Sequence, residues 1–327
     1  MSRIAIIGAG LSGLVAAGRL RAVAEVVVLE KSRGVGGRMA TRYADPFRFD
    51  HGAQFFTARN GPFRRFLEPL VTAGVVARWD ARFVDIDRNE CVSQRTWGPG
   101  YPHHVGVPGM NAVGQHLAKG LDVHLHTEIG RIERDGATWA MRTSDGRRFD
   151  GFDWIILALP AAQAAELAPP GFAHATALGE VRMRGCFALM LGFEHAPLLA
   201  WDAAHVRDSD LSWVSVNSSK PGRSAHPALV VHSSNAYAEA NLDLDAEAVR
   251  QHMLDELHAV TGIDASSAGF SALHRWRYAN IDRQQGDPLL LDPQMRIACC
   301  GDWCIRGRVE SAFRSGAATA DAVASLL

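Results

Sequence analysis

Lysine is almost missing from this 327-residue chain: Lys31, Lys119 and Lys220 are its only lysines, and arginine supplies nearly all the positive charge. Net charge is close to zero as well, at −1. That removes any general electrostatic attraction to nucleic acid or to an anionic membrane. No apolar run reaches the roughly 18–20 residues needed to cross a bilayer. Gly8 and Gly10 interrupt the apolar start, and Arg3 is its only early basic residue, which does not fit a secretory signal. A cytosolic protein with no membrane partner is therefore expected. Cysteine is scarce and odd in number (Cys91, Cys186, Cys299, Cys300 and Cys304), with no C-x-x-C spacing. Buried, reduced thiols and no metal site are expected from that pattern. There are no repeats, low-complexity tracts, long linkers or Gly-x-Ser-x-Gly elbow. At 47% hydrophobic and 21% charged, the composition is that of a folded globular chain.

What is present begins at once. Ile4 to Ile7 read as a buried parallel strand, followed by Gly8-Ala9-Gly10-Leu11-Ser12-Gly13. Gly8 permits a tight turn, Gly10 lets backbone approach a pyrophosphate, and Gly13 lets the next helix pack close to the strand. The helix start offers free N–H groups and a positive dipole end to phosphate. Val26 to Leu29 form a second strand, and Glu30 at its end suits a ribose 2′-hydroxyl while disfavouring a 2′-phosphate. The sum is a dinucleotide-binding βαβ unit.

Further along, residues 62–77 suggest a helix, and 79–107 alternate like a small antiparallel sheet. Gly109 to Leu117 predict a helix, Val123 to Thr127 a strand, and 139–149 a hairpin turning at Asp145-Gly146. Trp154 to Leu159 read as a central strand ended by Pro160. Strands are expected at Phe187 to Phe193 and Leu229 to Ser233, and a helix at Asp245 to Val260. Arg296 to Asp302 read as one more buried strand, feeding a helix from about Val309 to Leu327. Nucleotide-binding parts thus recur at the start, middle and end. One domain is expected from 1–61, 107–160 and 281–327, and a second from 62–106 and 161–280.

Two more segments bear on the cofactor. Glu30-Lys31-Ser32-Arg33-Gly34-Val35-Gly36-Gly37-Arg38 puts a second glycine cluster after the ribose-binding acid, with Arg38 able to fork onto phosphate. An extended FAD has use for this segment; a mononucleotide site does not. Gly301-Asp302 follows a buried strand, where a carboxylate suits ribityl hydroxyls. The small-residue helix after it would place its positive end by the flavin ring.

These segments resemble the FAD-binding pattern of the flavin amine oxidase superfamily. Lys31 to Met39, Asp50 to Arg59, Val107 to Met110, His274 to Ala279 and Cys300 to Cys304 further resemble its bacterial renalase branch. The resemblance implies a two-domain α/β fold of the p-hydroxybenzoate hydroxylase type. Its Rossmann-like FAD domain is interleaved with a mixed-sheet substrate domain. It also implies non-covalent FAD and oxidation of 2- or 6-dihydro-NAD(P) to NAD(P)+, with electrons passing to O2. By position it places Leu11 and Ser12 at the pyrophosphate, Glu30 and Lys31 at the adenosine ribose, and Arg38 at the phosphates, with Gly37 beside it among the cofactor-binding residues. It places Gln54 and Phe55 near the flavin ring, Ile129 at the adenine, and Asp302 and Ile305 at the ribityl and ring end. His104, Cys186 and Trp276 are expected at the substrate. Phe55 and His51 depart from the branch, which often has tyrosine and an apolar residue there; Cys186 and His103-His104 depart too.

Hydride transfer from a dihydronicotinamide needs no prior removal of a proton, so no catalytic acid or base is assigned. Two alternatives remain: an amine oxidase, or a non-catalytic FAD/NAD sensor. Many superfamily members carry a lysine near the flavin; here Lys220 sits in a Ser-Ser-Lys-Pro-Gly turn, and no lysine reads as a core residue. His124-Leu125-His126 would put two imidazoles on one strand face, without a third ligand for a metal. Trp276 and Tyr278 share one face of a strand, either as core or as a pocket wall. Oligomeric state is not readable from the sequence.

Overall fold

The computed structural model describes residues 1–327. Its first element is β1 (Arg3–Ile7), followed by α1 (Leu11–Leu20) and β2 (Glu25–Leu29). These strands lie in a six-stranded sheet ordered Asp122–His124, β2, β1, Trp154–Leu157, Ile297–Cys299, Leu290–Asp292. All neighbours pair parallel except the last two strands. The near-continuous apolar runs follow from burial on both faces. Ile4, Ile6, Val26 and Val28 pack with α1 and the Val309–Ala324 helix, while Ala5, Ile7, Val27 and Leu29 pack on the other side. That other layer is a three-stranded antiparallel sheet of Ile129–Asp135, Thr138–Thr143 and Arg148–Phe152.

The second body is a seven-stranded sheet ordered Ala268–Arg283, Arg182–Phe193, Ala228–Ser233, Leu211–Val216, Ala203–Arg207, Arg82–Asp87, Glu90–Thr96. Phe187, Leu189 and Leu191 on one face join Val249, Met253 and Leu257 of the Ala246–Thr261 helix in a single core. That helix starts where Asp245 accepts from the N–H groups of Glu247 and Ala248, and stops at Gly262 in the left-handed region (φ 71°). The opposite face carries Ala188 and Met190, and looks toward the Rossmann-like body.

Several expectations need correction. Residues 79–107 do not make a small sheet of their own. Arg82–Asp87 and Glu90–Thr96 form a hairpin on the edge of the seven-stranded sheet, because Arg82–Asp87 pairs parallel with Ala203–Arg207. The 62–77 helix spans Gly61–Thr72; a turn at Gly74 (φ 69°) frees Val76–Arg78 to pair with His103–Gly106. The strand at 123–127 ends at His124, since His126 has φ 51°, so His124 and His126 do not share a strand face. No group of three metal-ligating side chains exists.

Lys220 is the largest departure. Its side chain is fully buried, with Nζ 3.4 Å from Asp50 Oδ2. Arg223 Nη2 lies 2.5 Å from the same oxygen. Asp50 also accepts from Thr41 Oγ1 (2.7 Å) and Met110 N–H (2.9 Å). One carboxylate therefore joins three chain segments, two cations deep in the protein among them. Burial raises the Asp50 carboxyl pKa, but Lys220, Arg223 and the Met110 N–H outweigh it and hold the net pKa below the usual range. Burial pushes the Lys220 ammonium down to about 8, against the pull of Asp50. The sequence suggested a turn, with Lys220 outside the core, because Ser218, Ser219, Pro221 and Gly222 are all turn residues. The chain does turn there, but buried against the Asp50 segment.

Replacing Asp50 by alanine leaves two buried cations without their anion. The expected result is a loss of about 3–5 kcal/mol in unfolding free energy by urea titration. Asp287→Ala, on the exposed surface, is expected to leave the midpoint unchanged.

Candidate active site

A cavity of about 1530 Å³ runs from the glycine turn after β1 to the inner face of the seven-stranded sheet. At the first end, Gly8 has φ 105°, and a Cβ there would lie 2.5 Å from Ala158 O. A Cβ on Gly13 would lie 2.1 Å from Gly8 O, so α1 packs on the turn only because that atom is absent. Gly10 is the opposite case: a Cβ would meet nothing within 4 Å, so its open side belongs to the cavity. No side chain caps α1 at Gly10, which leaves its first-turn N–H groups for a ligand. A diphosphate fits this cradle.

Glu30 is buried and accepts from the N–H groups of Ala9 (2.7 Å) and Ser32 (2.8 Å). It therefore ties the glycine turn to the loop after β2. One lone pair on each oxygen remains for a ribose hydroxyl. Arg38 lines the cavity, but its fork is engaged: Nη1 and Nη2 bond the two Asp302 oxygens at 3.1 and 2.5 Å, and Nη1 also bonds Ala279 O at 3.1 Å. The two residues expected on phosphate and ribityl hydroxyls thus meet each other. The C-terminal segment crosses the glycine-rich loop here, and guanidinium and carboxylate match in shape.

Leu11, Ser12, Lys31, Gly37, Gln54, Phe55, Ile129, Cys186 and Trp276 also line this cavity. Gly13 and Ile305 do not; Gly13 acts through packing, and Ile305 sits against the core behind the first sheet. His104 is also outside the lining. It lies on the His103–Gly106 strand, with its ring stacked 5.7 Å from Phe56. Its neighbour His103 stacks on Trp97 at 3.7 Å. Cys186 is buried, and burial pushes its thiol up to about 12, so it lines the cavity as a neutral group.

Gln54 has no hydrogen-bonding capacity to spare. Its Oε1 accepts from Ser215 Oγ (2.9 Å) and Lys220 Nζ (3.0 Å); its Nε2 donates to Asp50 O (2.5 Å) and Gly52 O (3.1 Å). The buried ion cluster thus fixes a cavity-lining amide from behind.

The sequence marked His274 within a family-like motif and His51 as a departure from it, but did not single out the rest of the cavity floor. Strand register aligns His205, Trp213, His232, Ala188 and His274 in one row across the sheet, so all share a face. His51 lies over this row. Its ring is 4.8 Å from His274 and stacks 5.3 Å from Trp276, and its carbonyl accepts from Trp276 Nε1 (2.8 Å) and His232 Nε2 (3.3 Å). Burial, then repulsion from His274, lowers His51 to about 4; burial and Lys220 lower His232 to about 4. Burial lowers His274 as well. For His232 the only signal in the sequence was a polar residue inside an apolar run, Ala228-Leu229-Val230-Val231-His232.

These imidazoles give a signed pH dependence. Between pH 6.5 and about 4 the unfolded chain takes up protons at His51 and His232 that the folded chain refuses. Stability is therefore expected to fall as pH drops through that window. Urea midpoints measured across it will show a shallower slope in His232→Asn than in the natural protein.

Comparisons with known proteins agree with this geometry. The flavin containing amine oxidoreductase family model matches residues 64–324, and an NAD(P)-binding Rossmann-like domain model matches 6–70. The chain is 23% identical to renalase of Mus musculus over 330 residues, covering 92% of this chain and 93% of that protein. Its fold matches a protoporphyrinogen oxidase-like protein from Exiguobacterium sp. 255-15 with TM-score 0.80 at 14% identity, over 99% of both chains. It also matches putrescine oxidase bound to putrescine with TM-score 0.75 at 15% identity, again over 99% of both. The fold is thus α/β, with a Rossmann-like dinucleotide domain and mixed sheets, as in FAD-dependent oxidoreductases. The chain belongs to the flavin containing amine oxidoreductase family, as a renalase-like, flavin-dependent oxidoreductase whose cofactor is FAD.

Proposed function

We propose that this enzyme oxidises isomeric dihydronicotinamide dinucleotides, 2- or 6-dihydro-NAD(P), to NAD(P)+ and passes the electrons to O2. The observation that carries the reading is the charge of the cavity at the seven-stranded sheet. The lining residues drawn from 39–55 and from 186–280 include no aspartate or glutamate; their only charged side chains are Arg42, Arg275 and Arg277. A wall of this kind suits a substrate bearing phosphates and gives an ammonium group no counter-ion. The end-to-end similarity to mouse renalase supports the same reading.

In this reading the enzyme has the p-hydroxybenzoate hydroxylase type of fold. Segments 1–61, 107–160 and 281–327 hold non-covalent FAD, and 62–106 with 161–280 shape the substrate side. Gly8, Gly10, Leu11 and Ser12 cradle the diphosphate, Glu30 and Lys31 take the ribose, and Ile129 covers the adenine. Gly37 lets the glycine-rich loop approach the cofactor, and Asp302, held by Arg38, presents a fixed carboxylate to the ribityl chain. Bound FAD supplies hydride acceptance at its ring and delivery of two electrons to O2, giving H2O2. The protein's own task is positioning. Gln54 is locked by its four hydrogen bonds, while His51, His232 and His274 stay neutral and withhold competing protons. Trp276, pinned through Nε1, walls the substrate side with Phe55 and Cys186. A cytosolic location belongs to the same reading.

Anaerobic mixing of the purified yellow protein with 2-dihydro-NAD, 6-dihydro-NAD, NADH and a panel of amines tests this. Rapid bleaching of the flavin band by at least one isomeric dinucleotide, and not by amines, is the expected outcome. Bleaching by amines alone would overturn the proposal in favour of an amine oxidase. No bleaching by any of them would leave the sensor reading.

A further inference from the structure

Six arginines line the cavity, and one of them is anomalous. Arg33, Arg275, Arg277 and Arg308 are exposed, so water solvates them; Arg275 also bonds Leu242 O, and Arg277 pairs with Asp243 at 3.2 Å. Arg38 is half-buried but forked onto Asp302. Arg42 is half-buried, lines the cavity, and makes no ion pair or side-chain hydrogen bond with the protein. A guanidinium brings five N–H donors, and withdrawing it from water without an acceptor is costly. Arg42 opens the short strand β3 (Arg42–Ala44), which pairs with β4 (Phe47–Phe49) and meets no acidic partner there. Its charge helps hold both His51 and His274 neutral, which places it on the sheet side of the cavity, away from the glycine turn.

We infer that Arg42 is the residue that reads the phosphate of the substrate. An unpaired, half-buried fork in a wall without carboxylates is suited to a phosphate oxygen pair, and neutral His51 and His274 beside it neither compete for nor repel that anion. The inference rests on the dinucleotide reading above and deepens it. The part of the substrate recognised is its diphosphate, and the discrimination is against the phosphate-free nucleoside. The FAD diphosphate is served separately by the α1 start, so Arg42 is not needed to retain the cofactor.

The test uses the holoenzyme and its Arg42→Ala and Arg42→Lys variants, with three measurements. The first is steady-state oxidation of the active dihydro-NAD isomer beside the matching dihydronicotinamide riboside. Arg42→Ala is expected to raise KM for the dinucleotide about 10- to 100-fold with kcat unchanged, and to leave the riboside's KM in place. Arg42→Lys is expected to recover part of the loss, as a point charge without the fork. The second is binding of ADP to the oxidised holoenzyme, followed by perturbation of the flavin spectrum. Binding that weakens with salt and is lost in Arg42→Ala is expected. The third is FAD affinity, expected to be unchanged.

Equal KM changes for dinucleotide and riboside, no change for either, or a loss of FAD from the variant would each overturn the inference. ADP binding that is equal in natural and variant protein would overturn it too. If no dihydro isomer bleaches the flavin, the reaction proposed above falls, while the anion site still stands or falls on ADP binding.

Discussion

The buried Asp50 carboxylate is the interaction on which the rest of the site depends. It is held by Lys220 and Arg223, both fully enclosed, and by Thr41 and the Met110 N–H. Thr41 follows the glycine-rich loop, Met110 precedes the Ala112–Leu117 helix, and Lys220 and Arg223 follow the Leu211–Val216 strand of the seven-stranded sheet. Charges are withdrawn from water only where their partners are fixed in place. This cluster therefore holds the two bodies in one register across the cavity. Gln54 reports that register directly, because Lys220 and Ser215 fix its oxygen while Asp50 and Gly52 fix its nitrogen. The cluster carries two cations and one anion, so it leaves a positive charge behind the cavity wall.

Charge is divided along the cavity in a way that follows from the two bodies. The Rossmann-like end contributes the exposed Glu128 and Glu166 and the buried Glu30 and Asp302, the latter two already committed to backbone N–H groups or to Arg38. The sheet end contributes arginines and imidazoles and no carboxylate. Burial keeps His51, His232 and His274 neutral, and Arg42 is the half-buried charge there without a protein partner. Hydride transfer to a flavin gains nothing from an acid or base on the substrate carbon, and a neutral, rigid wall serves it well. The same wall treats ammonium and phosphate very differently.

The nucleotide half was legible because its constraints are local. Glycine positions, the apolar alternation of β1 and β2 and a terminal acid all lie within thirty residues, and backbone geometry leaves few alternatives. The βαβ unit, the central strand near Trp154, the hairpin at Asp145-Gly146 and the Ala246–Thr261 helix were all visible in the residue pattern. The sheet end was not legible in that way. Lys220 sits among turn residues, and His232 and Trp213 lie in apolar strands with no motif around them. The strand partners of His103-His104 were not readable either, since it pairs with Phe56–Thr57 and Val76–Arg78 rather than within 79–107.

By itself, then, the sequence determined the dinucleotide cradle, the order of the main elements and the kind of cofactor, since each depends on residues close together in the chain. Tertiary structure decided which side chains face the substrate and which ions neutralise one another. Register across five strands brings His205, Trp213, His232 and, through Ala188, His274 into one row, though 69 residues separate the first from the last. Arg38 and Asp302 are 264 residues apart, and Asp50 and Lys220 are 170 apart. Such pairings depend on how sheets twist and pack, which no local pattern encodes.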